Sequence, residues 1–128
     1  MVEATLVEPN VRAAQALVRR LDEADVRARA ALWAYTSDTD SWRLWIVPPV
    51  GMSDKREFYL RLADVFAAHG DELAGLDSGE VQFVDAKHPV IQGLCRFVRN
   101  DGLAEIRFTN NVLNGYYLPD AVILRMAV

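Results

Sequence analysis

The chain has 128 residues, of which 52% are hydrophobic and 25% are charged, so it has the length and composition of one folded domain and not of a disordered segment. Its net charge of −4 argues against a protein that binds the phosphates of nucleic acids. The longest apolar run, residues 30–35, is too short to cross a bilayer. The single cysteine, Cys95, excludes an internal disulfide and a cysteine-based zinc site.

These features predict a single domain over residues 1–128, located in the cytoplasm of a bacterium. Residues 1–10 have neither the basic start nor the apolar stretch of a signal peptide, and a lone cysteine fits a reducing compartment. Alanine and arginine are abundant while lysine occurs only at Lys55 and Lys87, a bias typical of a GC-rich bacterial genome.

Three segments have the apolar spacing of an amphipathic helix: residues 8–24, 54–69 and 88–102. In the second segment, Asp54 is placed to cap the helix and Gly70 to end it. The third segment starts with His88 and Pro89 and ends at Gly102. Its expected buried positions are Val90, Ile91, Leu94, Cys95, Phe97 and Val98.

A first hairpin is predicted from residues 26–36 and 41–47, which are rich in aromatic and branched side chains and are joined by the polar residues 37–40. A four-residue loop places Tyr35 opposite Trp42 and Trp33 opposite Leu44. Both faces of the resulting strand pair are largely apolar, so we expect it to be covered on both sides.

A third strand is predicted over residues 80–86, and a second hairpin joins residues 104–113 to residues 116–127 through Asn114 and Gly115. Asn-Gly favours the tight turn in which both residues have positive φ. The element order is therefore α-β-β-α-β-α-β-β. We expect an α+β fold with a mixed sheet of five strands and three helices.

Catalytic signals are sparse. Asp85 and Lys87 are two residues apart at the end of the predicted third strand, so their side chains would point to one face if the strand continued, as in metal-dependent nucleases where such a pair binds Mg²⁺ and activates water. That mechanism needs a further acid on the neighbouring strand, whereas Asp38 and Asp40 lie in a loop. The prediction therefore leans away from an enzyme and keeps a nuclease-like activity as an alternative.

No cofactor and no metal site are predicted. The sequence contains no glycine-rich phosphate-binding loop. His69 and His88 lie in different elements and lack the spacing of zinc ligands. Cys95 falls on an apolar helix stripe, where a thiol is unreactive.

The second hairpin gathers the best candidate binding residues. Amides, phenols and a carboxylate, which are adaptable hydrogen-bonding groups, follow one another there: Asn110, Asn111, Asn114, Tyr116, Tyr117 and Asp120. Pro119 lacks an N–H, which predicts an edge strand open to pairing with another chain.

We therefore expect a non-catalytic module for protein interaction or self-association, most simply a homodimer, with no nucleic-acid or membrane partner. A second alternative is a small-molecule binder whose aromatic pocket is formed by Trp33, Tyr35 and Trp42.

Overall fold

The computed structural model describes residues 8–36, 38 and 40–128, together with their side chains except at positions 8 and 111. The α-helices are α1 (Glu8–Glu23), α2 (Lys55–Ala68) and α3 (Pro89–Leu94). The strands are β1 (Ala30–Thr36), β2 (Ser41–Val47), β3 (Val81–Phe83), β4 (Ile106–Leu113) and β5 (Tyr116–Met126). A single 3₁₀ turn, Ser78–Glu80, leads into β3. None of the helices in the described ranges is both long and apolar enough to cross a membrane.

The strands form one sheet in the order β3-β2-β1-β5-β4. β2 and β3 run parallel, and the other neighbours are antiparallel. An isolated bridge between Asn100 and Met126 adds one pairing beyond the five strands. The predicted α+β class, mixed sheet and element order are therefore confirmed, apart from this small difference in strand count.

Helices cover both faces of the sheet. α1 and α2 pack on one face, where residues such as Leu17 and Phe58 are completely buried; we call this layer the α1–α2 core. α3 packs on the other face through Val90, Ile91 and Leu94, and we call that layer the α3 core. Every residue of β1 is buried, as expected for a strand in the middle of a doubly covered sheet.

The first hairpin has the predicted register. Tyr35 pairs with Trp42, and Trp33 pairs with Leu44. Trp33 and Tyr35 face the α1–α2 core, whereas Trp45 faces the α3 core, so the prediction that this strand pair is covered on both sides is confirmed.

Several predicted elements are too long: the first and fourth strands begin at Ala30 and Ile106, and the third strand and third helix end early. β3 ends at Phe83, because its only neighbour is β2, and β2 stops at Val47 before two prolines that cannot extend a ladder. α3 ends at Leu94, and Phe97, an expected buried position, is 73% exposed. The chain leaves the helix there to form the backbone bridge between Asn100 and Met126.

The prediction that Pro119 marks an edge strand is wrong. β5 lies between β1 and β4, and the edges of the sheet are β3 and β4. The proline is accommodated for a different reason: the ladder between β1 and β5 extends only as far as the Tyr35–Asp120 pair and does not include Pro119, the residue that precedes Asp120 in the chain. No ladder partner therefore requires an N–H from this position.

Candidate functional site

The ladder of the second hairpin is interrupted at one cross-strand position, which we call the bend. Thr109 pairs with Asp120 and Asn111 pairs with Leu118, but Asn110 and Pro119 between them make no ladder pair. Asn110 has a φ of +51°, in the left-handed region that asparagine tolerates better than most residues. A proline facing a left-handed asparagine therefore interrupts the ladder at this position.

This bend changes which side chains share a face. Leu118 and Ala121 both lie in the α3 core, although residues three apart in a regular strand point to opposite faces. In the same way, Tyr117 and Asp120 both line one cleft on the other side. The bend is thus the reason why these two candidate residues come together.

We call this depression of about 350 Å³ the hairpin cleft. Its lining residues come from β1, β2, β4 and β5: Tyr35, Trp42, Thr109, Asn110, Tyr117, Pro119 and Asp120. Three aromatic rings, one amide and one carboxylate therefore surround a space of the size of a small ligand pocket. None of these lining residues is basic.

Hydrogen bonds hold two of the aromatic side chains in place. The Tyr117 hydroxyl donates to Oδ1 of Asn110 at 2.8 Å, across the bend. The Tyr35 hydroxyl donates to Oδ1 of Asp40, in the loop of the first hairpin. The Tyr35 and Trp42 rings meet edge to face with centroids 5.7 Å apart, a favourable aromatic geometry.

Asp120 carries the least satisfied polar atom of the cleft. Its Oδ1 is buried, and no donor within the described part of the chain reaches it. Buried polar atoms are normally hydrogen-bonded, and leaving one without a partner is costly. The carboxylate is therefore suited to accept a hydrogen bond from a group that enters the cleft.

The six residues predicted to form one binding surface are divided by the structure. Asn110, Tyr117 and Asp120 line the hairpin cleft. Asn114 instead donates from its side chain to the carbonyl of Pro89 at 3.0 Å, at the start of α3. Tyr116 packs on the α3 core, and the side chain of Asn111 lies outside the described residues.

Tyr116 belongs to an aromatic group with Trp45 and His88, whose ring centroids lie between 4.9 and 6.3 Å apart. Burial, together with the charge of Asp38, raises the pKa of Tyr116 above 10.0. Burial lowers the pKa of His88 below 6.5. The His88 Nδ1 accepts a hydrogen bond from the N–H of Val90 at 3.2 Å, so this histidine caps α3.

The aromatic pocket expected from the first hairpin is present only in part. Trp33 is completely buried in the α1–α2 core and lines no part of the hairpin cleft. Tyr35 and Trp42 do line it, beside Tyr117. Two groups of residues that the sequence suggested separately therefore meet in one site, because the Tyr35–Asp120 pair places the two hairpins side by side.

Asp85 and Lys87 do not form the predicted strand-end pair. β3 ends before them, and Asp85 Oδ1 accepts a hydrogen bond from the backbone N–H of Lys87 at 2.8 Å in a turn. Asp40 precedes β2, whereas Asp85 follows the strand that pairs in parallel with the far end of β2, so these acids lie at opposite ends of the sheet. Across the described residues, no group of three His, Cys, Asp or Glu side chains is placed to bind a metal ion.

Two contributors to the cleft were missed in the sequence. Thr109 joins it because it pairs with Asp120, and Asp40 supports it through Tyr35. The register set by the two-residue turn at Asn114 and Gly115 places Thr109 opposite Asp120 and Asn110 opposite Pro119, but no signal indicated that the ladder would be interrupted there.

Compared with known proteins, the chain matches no protein-family model, and no curated protein and no solved structure matches it significantly. The fold and the hairpin cleft therefore define the protein only as a class: an α+β chain with a mixed sheet and an aromatic, acidic cleft at one end.

Proposed function

We propose that the protein is a non-catalytic binding module that contacts a partner protein, or a second copy of itself, through the hairpin cleft and the adjoining tip of the second hairpin. The observation that carries this proposal is the bend at Asn110 and Pro119, which brings Tyr117 and Asp120 beside Tyr35. At this position, two side chains that a regular strand would point to opposite faces line the same cleft.

We call the end of the second hairpin around Val112 and Tyr117 the hairpin tip, and its exposed side chains support the same proposal. Tyr117 is 49% exposed and its cross-strand neighbour Val112 is 69% exposed, so an aromatic and an aliphatic side chain lie together in solvent. Tyrosine is enriched at protein interfaces because it combines a large apolar ring with a hydrogen-bonding hydroxyl. A cytoplasmic location, favoured by the free cysteine, is part of this proposal.

A small-molecule binder is the second candidate function. It is favoured by the volume of the cleft, about 350 Å³, and by its mixture of rings and a few polar groups. The nuclease-like alternative is not proposed further, since the carboxylate of Asp85 is bonded within its own turn.

Site-specific photocrosslinking tests the main proposal. A photoreactive phenylalanine analogue at position 117 reports contacts of the hairpin tip, and the same analogue at position 60 is the control, because Leu60 is an exposed apolar residue of α2. We expect crosslinked species from position 117 and none from position 60. Sedimentation velocity then distinguishes a homodimer from a heterologous complex.

A Tyr117→Arg variant should remove the association seen by crosslinking and sedimentation. If the native protein stays monomeric at high concentration and position 117 crosslinks no more than position 60, the binding module is refuted and the hairpin is only structural.

A further inference from the structure

We propose that the hairpin cleft binds the ammonium or guanidinium group of a lysine or arginine side chain on the partner. This inference rests on the proposed function and specifies the chemistry of that contact. It combines three features of the cleft: its charge, its aromatic walls and its buried oxygen without a donor.

The charge of the cleft selects a cation. Among the residues that the structure describes, Asp120 is the only charged one that lines the cleft, and Asp40 accepts the hydrogen bond of the Tyr35 hydroxyl. A carboxylate or phosphate entering the cleft would meet like charge, and no lining Lys or Arg would compensate for it. A cation would form a charge pair in a partly desolvated setting, where such pairs are stronger than in bulk water.

The aromatic walls favour the same ligand. Tyr35, Trp42 and Tyr117 border the space beside Asp120. The face of an aromatic ring attracts a cation within about 6 Å, and tryptophan does so most strongly. The aliphatic part of a lysine or arginine side chain would pack on the same rings while the charged end reaches the carboxylate.

The buried oxygen narrows the choice to a cation that carries N–H groups. Asp120 Oδ1 lacks a donor within the described chain, so a protonated amine or a guanidinium supplies the missing hydrogen bond. A trimethylated ammonium has the same charge but no N–H, and would leave Oδ1 unpaired. A neutral glutamine side chain has N–H groups but no charge, and is therefore a complementary control.

Short peptides test the inference by NMR titration of the full chain. The probes are the acetylated, amidated pentapeptides Gly-Gly-X-Gly-Gly, where X is lysine, arginine, trimethyl-lysine or glutamine. We expect saturable shifts of Trp42 and Tyr117 with the lysine and arginine peptides. The trimethyl-lysine and glutamine peptides should bind at least about tenfold more weakly, given the strength of charge-assisted hydrogen bonds.

An Asp120→Asn variant should reduce the affinity for the lysine peptide by about tenfold or more, because it keeps the shape and removes the charge. Asp101→Asn is the matched control, since Asp101 is 70% exposed and lies outside the cleft. Equal binding of the four peptides, no saturable binding, or native affinity in Asp120→Asn would each overturn the inference.

The two proposals can fail separately. Crosslinking at position 117 without discrimination among the peptides would retain the binding module and reject the cation. If position 117 gives no specific crosslink and no peptide binds, both are rejected.

Discussion

Arg125 and Asp22 are 103 residues apart in the chain, and their side chains are joined by two hydrogen bonds of 2.8 and 2.9 Å. The arginine is only 3% exposed, and it also donates to the carbonyl oxygens of Ala28 and Gly102. The guanidinium thus connects the end of α1, the start of β1 and the last strand. Its fixed fork of N–H groups is suited to such a junction.

Replacing Arg125 with alanine should lower the free energy of unfolding by about 2–4 kcal/mol, because it leaves the partly buried Asp22 carboxylate with only the exposed Arg27, at 3.6 Å, as its partner among the described residues. This expected loss of stability is smaller than for a fully buried ion pair, since Asp22 is 22% exposed and water can reach it. Chemical denaturation measures the change. Arg99→Ala is the control: its contact with Asp101 is 4.0 Å long between exposed side chains, so the loss should stay under about 0.5 kcal/mol. Equal losses in both variants would contradict the role of the Arg125 junction.

The burial of Arg125 and its pairing with Asp22 could not be predicted from the sequence. Arg125 lies between Leu124 and Met126 in a largely apolar strand. The alternation of side chains along that strand does not show that a carboxylate of α1 lies beside it. The first hairpin was predictable because its register depends on a short loop and on neighbouring residues. The Arg125–Asp22 pair depends on how α1 and β5 meet.

A pair of phenylalanines tests the corrected limits of the core. Phe58 on α2 is completely buried, so Phe58→Ala should cost about 3–5 kcal/mol of stability. Phe97 was expected in the stripe of α3 but is 73% exposed, so Phe97→Ala should cost less than about 0.5 kcal/mol. Urea denaturation of both variants is the measurement. A large loss for Phe97→Ala would show that α3 continues past Leu94 and buries this ring.

The early end of α3 could not be predicted from periodicity. Phe97 and Val98 continue the helical spacing, and nothing local stops the helix before Gly102. The stop is imposed by the sheet, because Asn100 exchanges two backbone hydrogen bonds with Met126, of 2.8 and 3.0 Å. A tertiary pairing of this kind overrides local helix propensity.

His88 should make the stability of the fold depend on pH. Burial beside Trp45 and Tyr116 lowers its pKa below 6.5, so the unfolded chain takes up a proton before the folded chain does. The contribution of neutral His88 to the stability of the fold is complete above pH 6.5. It is lost as the pH falls through 6.5 towards the lower pKa of His88 in the folded chain. Protonation would also remove the acceptor that caps α3 at the N–H of Val90.

We therefore expect the melting temperature to fall between about pH 7 and pH 5, and to fall less in His88→Asn, where the amide keeps a capping acceptor that does not titrate. His69→Asn is the control, because it removes the other histidine at the end of α2. An equal slope in the native protein and in His88→Asn would contradict the assignment, as would a folded-state pKa of His88 at or above 6.5 in an NMR titration.

The bend in the second hairpin depends on the left-handed backbone of Asn110. Replacing this residue with glycine or with valine removes the same hydrogen bond to Tyr117, so the difference between the two variants does not contain that bond and includes the backbone strain at position 110. Glycine adopts a φ of +51° without cost, whereas a β-branched side chain there is strained by about 1–2 kcal/mol. Asn110→Val should therefore be the less stable variant by that amount in chemical denaturation. Its strain is relieved if this part of the hairpin becomes regular, which separates Tyr117 from Asp120, so Asn110→Val should also bind the lysine peptide more weakly than Asn110→Gly does. Equal stability and equal binding of the two variants would show that the cleft does not need the bend.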